Sequence, residues 1–313
     1  MKTPTQIVYD DDISLQTVHI DIELGNLCNW ACTYCPKKSH DGSIPWVDKN
    51  NLIKFLDQAC THYKSLGKKY FDFNFLGGEP TLFKHFVEIT NWIKQQDFYS
   101  NVEMMTNGYR KMSYWEKNIK SFDTVSITHH AENADPLHTK TVADFVVDNG
   151  KYASVSIPMI PWEWDKCMEH IETLMHSKHP FNVSPKTLLK DFGGKNIPYD
   201  YTDNQKKILN KKFRFNQLSN KHKKYRKGIN ATKLVANQAN RFLGYTCYAG
   251  IDIISINKVG GLRLGGNCYV QHKGFTDKKY YDDNIAFPQG PTICTQKICS
   301  CLPDVQTRKY INA

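Results

Sequence analysis

Leu24-Gly-Asn-Leu-Cys28-Asn-Trp-Ala-Cys32-Thr-Tyr-Cys35-Pro36 sets three cysteines at a Cys-x3-Cys-x2-Cys spacing directly after an alternating apolar run. That spacing calls for a chemical reason. A cubane [4Fe–4S] cluster normally takes four thiolates, so three would leave one iron without a protein ligand. An open position on a metal centre is where a substrate or cofactor binds. Tyr34 stands where it could wall such a centre from water, and Pro36 keeps the loop from running on as a helix. The alternatives are zinc, which would pair Cys32-x2-Cys35 with a second cysteine pair elsewhere, and a thioredoxin-like redox motif, whose surroundings this chain lacks.

Outward from the cysteines, the chain alternates strand and helix patterns. Val18 to Leu24 alternates apolar and polar residues and delivers the loop at its C-terminal end. Val47 to Gly67 has helical spacing, with Cys60 on its apolar side. Tyr70 to Leu76 is a second strand, ending in Gly77-Gly78-Glu79-Pro80. Two glycines there allow positive φ and a close backbone approach, Glu79 places a carboxylate at the strand end, and Pro80 suits the first position of a helix. Leu82 to Gln96 reads as that helix.

The pattern continues with a strand from Val102 to Gly108, a short helix through Trp115 and Ile119, a strand from Asp123 to His130, and a helix around Val142 to Val147. A strand from Tyr152 to Met159, a helix from Trp162 to His176 and a strand at Phe181 to Pro185 complete it. Alternating units of this kind build a parallel sheet. Six are too few to close an eight-stranded barrel, so the expected fold is α/β, a partial (β/α)6 TIM-like barrel with its chemistry at the C-terminal strand ends. Thr106, Asn107, Ser126, Thr128, His129 and His130 fall at those ends. Hydroxyls there can donate and accept, and a histidine there can bind substrate or move protons near neutral pH. Cys167, among Trp164, Met168 and Ile171, reads as core, and becomes a hydrogen-atom donor only if it faces the cavity.

Cys-x3-Cys-x2-Cys followed one βα unit later by Gly-Gly-Glu-Pro resembles the radical S-adenosylmethionine (SAM) enzymes. The resemblance implies a [4Fe–4S] cluster on Cys28, Cys32 and Cys35, SAM chelated to its open iron, and the SAM ammonium held at Gly77, Gly78, Glu79 and Pro80. Tyr34 matches the aromatic residue the family places before its last cysteine, Thr106-Asn107-Gly108 a motif lining the SAM side, and Ser126 and Thr128 the position that bonds the SAM ribose. It also implies reductive SAM cleavage to a 5′-deoxyadenosyl radical, fed by a donor such as flavodoxin or ferredoxin.

A second group, Cys247, Cys268, Cys294, Cys299 and Cys301, lies near the C-terminus. Ile251 to Ile256, the turn Asn257 to Gly261 and the return through Leu262 and Leu264 read as a β-hairpin that brings Cys247 and Cys268 together. Two tail cysteines would complete a second Fe–S site, Cys299 and one neighbour being favoured, with zinc as the alternative. This part resembles the SPASM/twitch extension of some radical SAM enzymes, with too few cysteines for a full SPASM domain. The expected division is a barrel at 16–190, a basic linker at 191–246 and a twitch-type domain at 247–313.

Composition agrees with a globular chain: 313 residues, 40% hydrophobic, 23% charged, net charge +10. There is no apolar run of about eighteen residues and no signal-like start, so the expected location is cytoplasmic, with no membrane partner. Between Asn204 and Ile251 no acidic residue occurs, while Lys206, Lys207, Lys211, Lys212, Arg214, Lys221, Lys223, Lys224, Arg226, Lys227, Lys233 and Arg241 do. Such a stripe suits an anionic small molecule or nucleotide, or solubility alone; a peptide substrate is equally open. The rival readings are a metal-stapled nucleic-acid-binding protein and a radical SAM epimerase with a cysteine hydrogen donor.

Overall fold

Alternation in the strands sorts their residues onto two faces, and the computed structural model, which describes residues 2–9, 11–190, 197–209, 231–299 and 301–311, shows what each face meets. We number the strands of the main sheet β1 (Thr17–Glu23), β2 (Tyr70–Leu76), β3 (Tyr99–Thr106), β4 (Thr124–Thr128), β5 (Tyr152–Met159), β6 (Asn182–Thr187), β7 (Ile253–Ile256) and β8 (Leu262–Arg263). β1 to β6 pair in parallel and in chain order. Their apolar faces, including Ile20, Ile22, Phe71, Phe73, Phe75, Val125 and Val155, are buried. Each fully buried Phe contributes about 1.5–3 kcal/mol. The opposite faces are polar and line the concave side of an open, barrel-like sheet.

The covering helices are α1 (Lys49–Ser65), α2 (Phe86–Lys94), α3 (Met112–Asn118), α4 (Pro136–Asp148) and α5 (Trp164–Met175). Asp48 caps α1 by accepting from Asn51 N (2.9 Å), and Asp135 caps α4 through Leu137 N (2.9 Å) with Pro136 in the first turn. Helix α2 starts later than its periodicity suggests. Pro80–Leu82 forms a 3-10 turn capped by Glu79, and Phe83 is extended so that its ring stacks on Trp46, 5.3 Å between centroids.

The C-terminal hairpin forms between Ile253–Ile256 and Leu262–Arg263, with Leu262 opposite Ile256, but Cys247 does not sit on its arm: it belongs to a strand of a second sheet. The hairpin does not stand apart from the barrel: β7 pairs in parallel with β1, His19 opposite Ile253, and extends the sheet to eight strands in the order β8-β7-β1-β2-β3-β4-β5-β6. The N-terminal residues include a short strand, Gln6–Ile7. It joins the second sheet, in which Lys309–Tyr310, Thr246–Cys247 and Thr292–Ile293 follow in order. Beneath the barrel, buried Asp252 accepts from Lys68 Nζ (2.7 Å) and from Arg308 Nε and Nη2 (2.6 and 2.7 Å). That network ties the end of the chain to the sheet. Of the basic stripe, residues 210–230 lie outside the described residues; Lys206 pairs with Asp203 at 3.2 Å. No helix among the described residues is long and apolar enough to cross a membrane.

Candidate functional site

The cysteine loop leaves β1 at the C-terminal edge of the sheet and is pinned there by Asn26. Its buried amide donates to Lys38 O and Asp41 Oδ1 (both 2.9 Å) and accepts from Ile44 N (2.9 Å), closing the loop on itself. Gly77 and Gly78, with φ of +91° and +55°, bring the β2 turn against it. A Cβ on Gly77 would stand 2.7 Å from Gly25 O, and one on Gly78 2.2 Å from Leu27 O. The close approach expected of these glycines is therefore made by the cysteine loop itself, and Glu79 N donates to Leu27 O at 2.8 Å.

Glu79 is 1% exposed and binds four donors. Its Oε1 accepts from Thr81 N (3.1 Å), Thr81 Oγ1 (2.6 Å) and Thr106 Oγ1 (2.8 Å), and Oε2 from Asn107 N (2.7 Å). Burial pushes its carboxyl up, and these bonds oppose the rise. Asn107 continues the chain: its Nδ2 donates to Asn29 Oδ1 at 2.9 Å and lies 3.8 Å from Cys28 Sγ. Pro80 is buried at the head of the 3-10 turn. Strand ends β2 and β3 thus meet the first cysteine through one carboxylate and one amide.

The other side of the loop faces the end of β4. His130 Nδ1 stands 3.4 Å from Cys32 Sγ and within hydrogen-bond reach of the buried Tyr34 hydroxyl, whose ring stacks on it at 6.0 Å. Asn133 Nδ2 donates to Cys32 Sγ (3.4 Å), and Glu132 accepts from Thr33 N (2.8 Å). Burial pushes the Cys32 thiol up to about 11 and raises Cys28 and Cys35 as well. Cys28 acts electrostatically on both other thiols, and Lys258, at the hairpin tip, acts on Cys35. Glu132, Asn133 and Lys258 carry no signal in the sequence because each reaches the loop from a distant segment, and Asn26, within the loop, because its bonds to Lys38, Asp41 and Ile44 exist only once the loop has closed.

The two histidines part company. His129 is fully buried, its nitrogens held by Thr139 Oγ1 (2.9 Å) and His170 Nδ1 (2.7 Å), and it faces away from the loop. Cys167 is also fully buried and directs its thiol to Pro158 O. Ser126 lies inside the barrel in a polar row: Asn74 Nδ2 donates to Asp21 Oδ1 (2.7 Å), Ser126 Oγ to Glu103 Oε1 (2.5 Å), and Ser154 Oγ stands 3.1 Å from Ser126 Oγ. Thr128 follows on the same face, half-buried at the strand end. Burial, aided by Asp304 and Glu103 and opposed by Asn74 and His19, lifts Asp21 to about 6.

In the C-terminal group, Cys247 lies between Thr292 and Lys309 in register, and Cys294 N donates to Tyr245 O. Cys299 N donates to Asn240 O, whose own amide returns a bond to Cys299 O (2.6 Å). Cys294 is among the charged neighbours of Cys247 and Cys268, and Cys247 and Cys268 are among those of Cys299. Asp304 is a charged neighbour of Cys247, Cys268, Cys299 and Cys301 alike, Asp21 acts on Cys301 as well, and a Cβ on Gly266 would stand 2.9 Å from Cys301 Sγ, beside the Cys268 turn. Cys60 and Cys167 are core residues. Among the described residues no three His, Cys, Asp or Glu side chains converge on a single-ion site.

Comparison with known proteins adds to this geometry. Residues 22–153 match the profile of the Radical SAM superfamily. The chain is 29% identical over 132 residues to GTP 3',8-cyclase of Actinobacillus pleuropneumoniae serotype 3 (strain JL03), covering 42% of this chain and 36% of that protein. It is 27% identical over 147 residues to the probable GTP 3',8-cyclase of Saccharolobus islandicus (strain L.S.2.15 / Lassen #1), covering 45% and 44%. The match thus spans less than half the length of these relatives. The fold resembles native anSMEcpe with bound AdoMet and Cp18Cys peptide (TM-score 0.54, 13% identity, 86% of this chain and 78% of that one). It also resembles Streptococcus suis SuiB bound to precursor peptide SuiA (TM-score 0.51, 15% identity, 86% and 65%). The profile match thus places residues 22–153 with a superfamily that uses a [4Fe–4S] cluster and SAM, and the solved structures share the fold.

Proposed function

We propose that this chain is a radical SAM enzyme whose first cluster sits on Cys28, Cys32 and Cys35 and whose SAM lies between the β2 and β3 strand ends. The observation that carries the reading is that Cys28, which acts on both Cys32 and Cys35, shares with them one loop at the end of β1 on which the Gly77-Gly78-Glu79 turn is packed. When bound, the cluster and SAM supply an electron and a 5′-deoxyadenosyl radical that takes hydrogen from a substrate carbon. Glu79 fixes the two strand ends, Asn107 orients the loop at Cys28, and His130 with Tyr34 covers Cys32. Anaerobically reconstituted protein given SAM and dithionite should yield 5′-deoxyadenosine. Release of none, or equal release by a Cys28→Ala, Cys32→Ala, Cys35→Ala variant, would overturn the assignment.

For the second site we take Cys247, Cys268, Cys294 and Cys299, which act on one another, as the donor set, with Cys301, packed against Gly266 beside the Cys268 turn, as the further candidate. A second cluster there would accept an electron from the product radical. The lumen beyond the SAM site presents Asp21, Glu103 and Ser126, groups that match hydrogen-bond donors and repel a triphosphate. That favours a peptide or an amine- or hydroxyl-bearing small molecule over a nucleoside triphosphate. SAM cleavage accelerated by peptide pools and unchanged by GTP would support this choice; consumption of GTP would reverse it.

A further inference from the structure

Lys309 is 1% exposed, and among the described residues no carboxylate lies within ion-pair distance of its ammonium. Its Nζ donates to Asp304 O (2.6 Å) and Val305 O (3.3 Å) and stands 4.3 Å from the centre of the Phe242 ring. Those partners take two of its three N–H donors and the ring face, and offer only partial negative charge; the Asp304 carboxylate itself is engaged by Gly266 N and Asn267 N (2.8 Å each). Burying an ammonium costs several kcal/mol unless a full opposite charge stands nearby. The strand register supplies the direction in which to look. Lys309 is directly opposite Cys247, and directly opposed residues project from the same face of a sheet. Cys299 is the other thiol on which the lysine charge acts.

Protonated thiols would not balance this charge, but four thiolates around a cubane core would, since the assembly is anionic. We infer that Lys309 is the built-in counter-ion of the second cluster, raising its reduction potential and so suiting it to accept an electron. The inference rests on the second-site reading above. Reduction adds negative charge to the cluster, and a fixed cation in a low-dielectric setting stabilises the reduced form more than the oxidised one.

The test is an EPR-monitored redox titration of the full-length reconstituted chain, repeated with Cys28, Cys32 and Cys35 replaced by alanine so that the signal comes from the second site alone. Lys309→Gln and Lys309→Met should lower the midpoint so that the reduced-to-oxidised ratio at a given potential falls at least tenfold, about 59 mV for one electron. Lys309→Arg should stay near the wild-type value. Neutral variants that lose the second cluster's iron while Lys309→Arg keeps it would also support the counter-ion. Equal midpoints in all variants, or a fall or iron loss shared by Lys309→Arg, would overturn it in favour of packing. Iron and sulfide sufficient for one cluster only in the wild type would remove the premise, and that result is separate from any variant's midpoint.

Discussion

A carboxylate surrounded by four donors tolerates no donor of its own. In Glu79→Gln one of the two terminal atoms becomes an NH2 facing either Asn107 N or the trio of Thr81 and Thr106 donors. The variant should lose about 1–3 kcal/mol in urea unfolding of the apoprotein, the cost of a buried group left against a like partner. An unchanged midpoint would show that the strand ends do not depend on this carboxylate. His129 is a second residue whose chemistry is set by burial. Burial first, then His170, holds it down to about 3, against about 6.5 in an unfolded chain. Below pH 6.5 the unfolded state therefore binds a proton that the folded state refuses, and stability falls as pH drops toward 3, by about 2 kcal/mol at pH 5. His130, held at about 4 mainly by burial, acts in the same sense and remains in a His129→Gln variant. The wild type should thus lose about 2 kcal/mol more than His129→Gln between pH 8 and pH 5; parallel curves would reject the assignment.

At the scale of elements, the contact that joins the β2 turn to the cysteine loop is made of backbone, which cannot move aside. Gly78→Ala places a methyl 2.2 Å from Leu27 O at a φ of +55°, and it should displace the loop. Iron incorporation at the first site should drop with a stability loss of roughly 1–3 kcal/mol. Gly150→Ala, at φ +70° with nothing within 4 Å, isolates the backbone term, so equal iron content in the two variants would defeat the argument. The strands were legible because polar and apolar residues alternate: Asp21, Asn74, Glu103, Ser126 and Ser154 proved to be one lumen row. The start of α2 was not, since Phe83 leaves the helix to meet Trp46, 37 positions away in sequence. The pairing of β7 with β1 was likewise out of reach of a local pattern, although Ile253, Ile254, Ser255 and Ile256 are all buried, the mark of a strand covered on both faces. At the sites, the cysteines and Glu79 were readable from spacing, whereas Asn26, Glu132 and Lys309 depend on which segments fold together.

Across the whole molecule, one buried carboxylate holds three distant segments. Asp252 begins the connection into β7, Lys68 precedes β2, and Arg308 precedes the strand that carries Lys309. Asp252 is 0% exposed, and Lys68 Nζ is further held by Leu15 O and Thr17 O at 2.9 Å each. Removing Arg308 strips two charge-assisted bonds and leaves Lys68 as the one remaining cation of the network. Breaking a buried pair from one side costs about 3–5 kcal/mol, because the desolvated partner stays behind. Arg308→Ala should therefore lower the unfolding free energy of the apoprotein, measured in urea, by that amount and loosen the Lys309–Tyr310 strand from Thr246–Cys247, which hydrogen exchange would report as faster exchange in both. Protection lost throughout the barrel would mean that the C-terminal segment and the barrel unfold as one unit; no loss anywhere would mean that the bidentate contact contributes nothing to joining them.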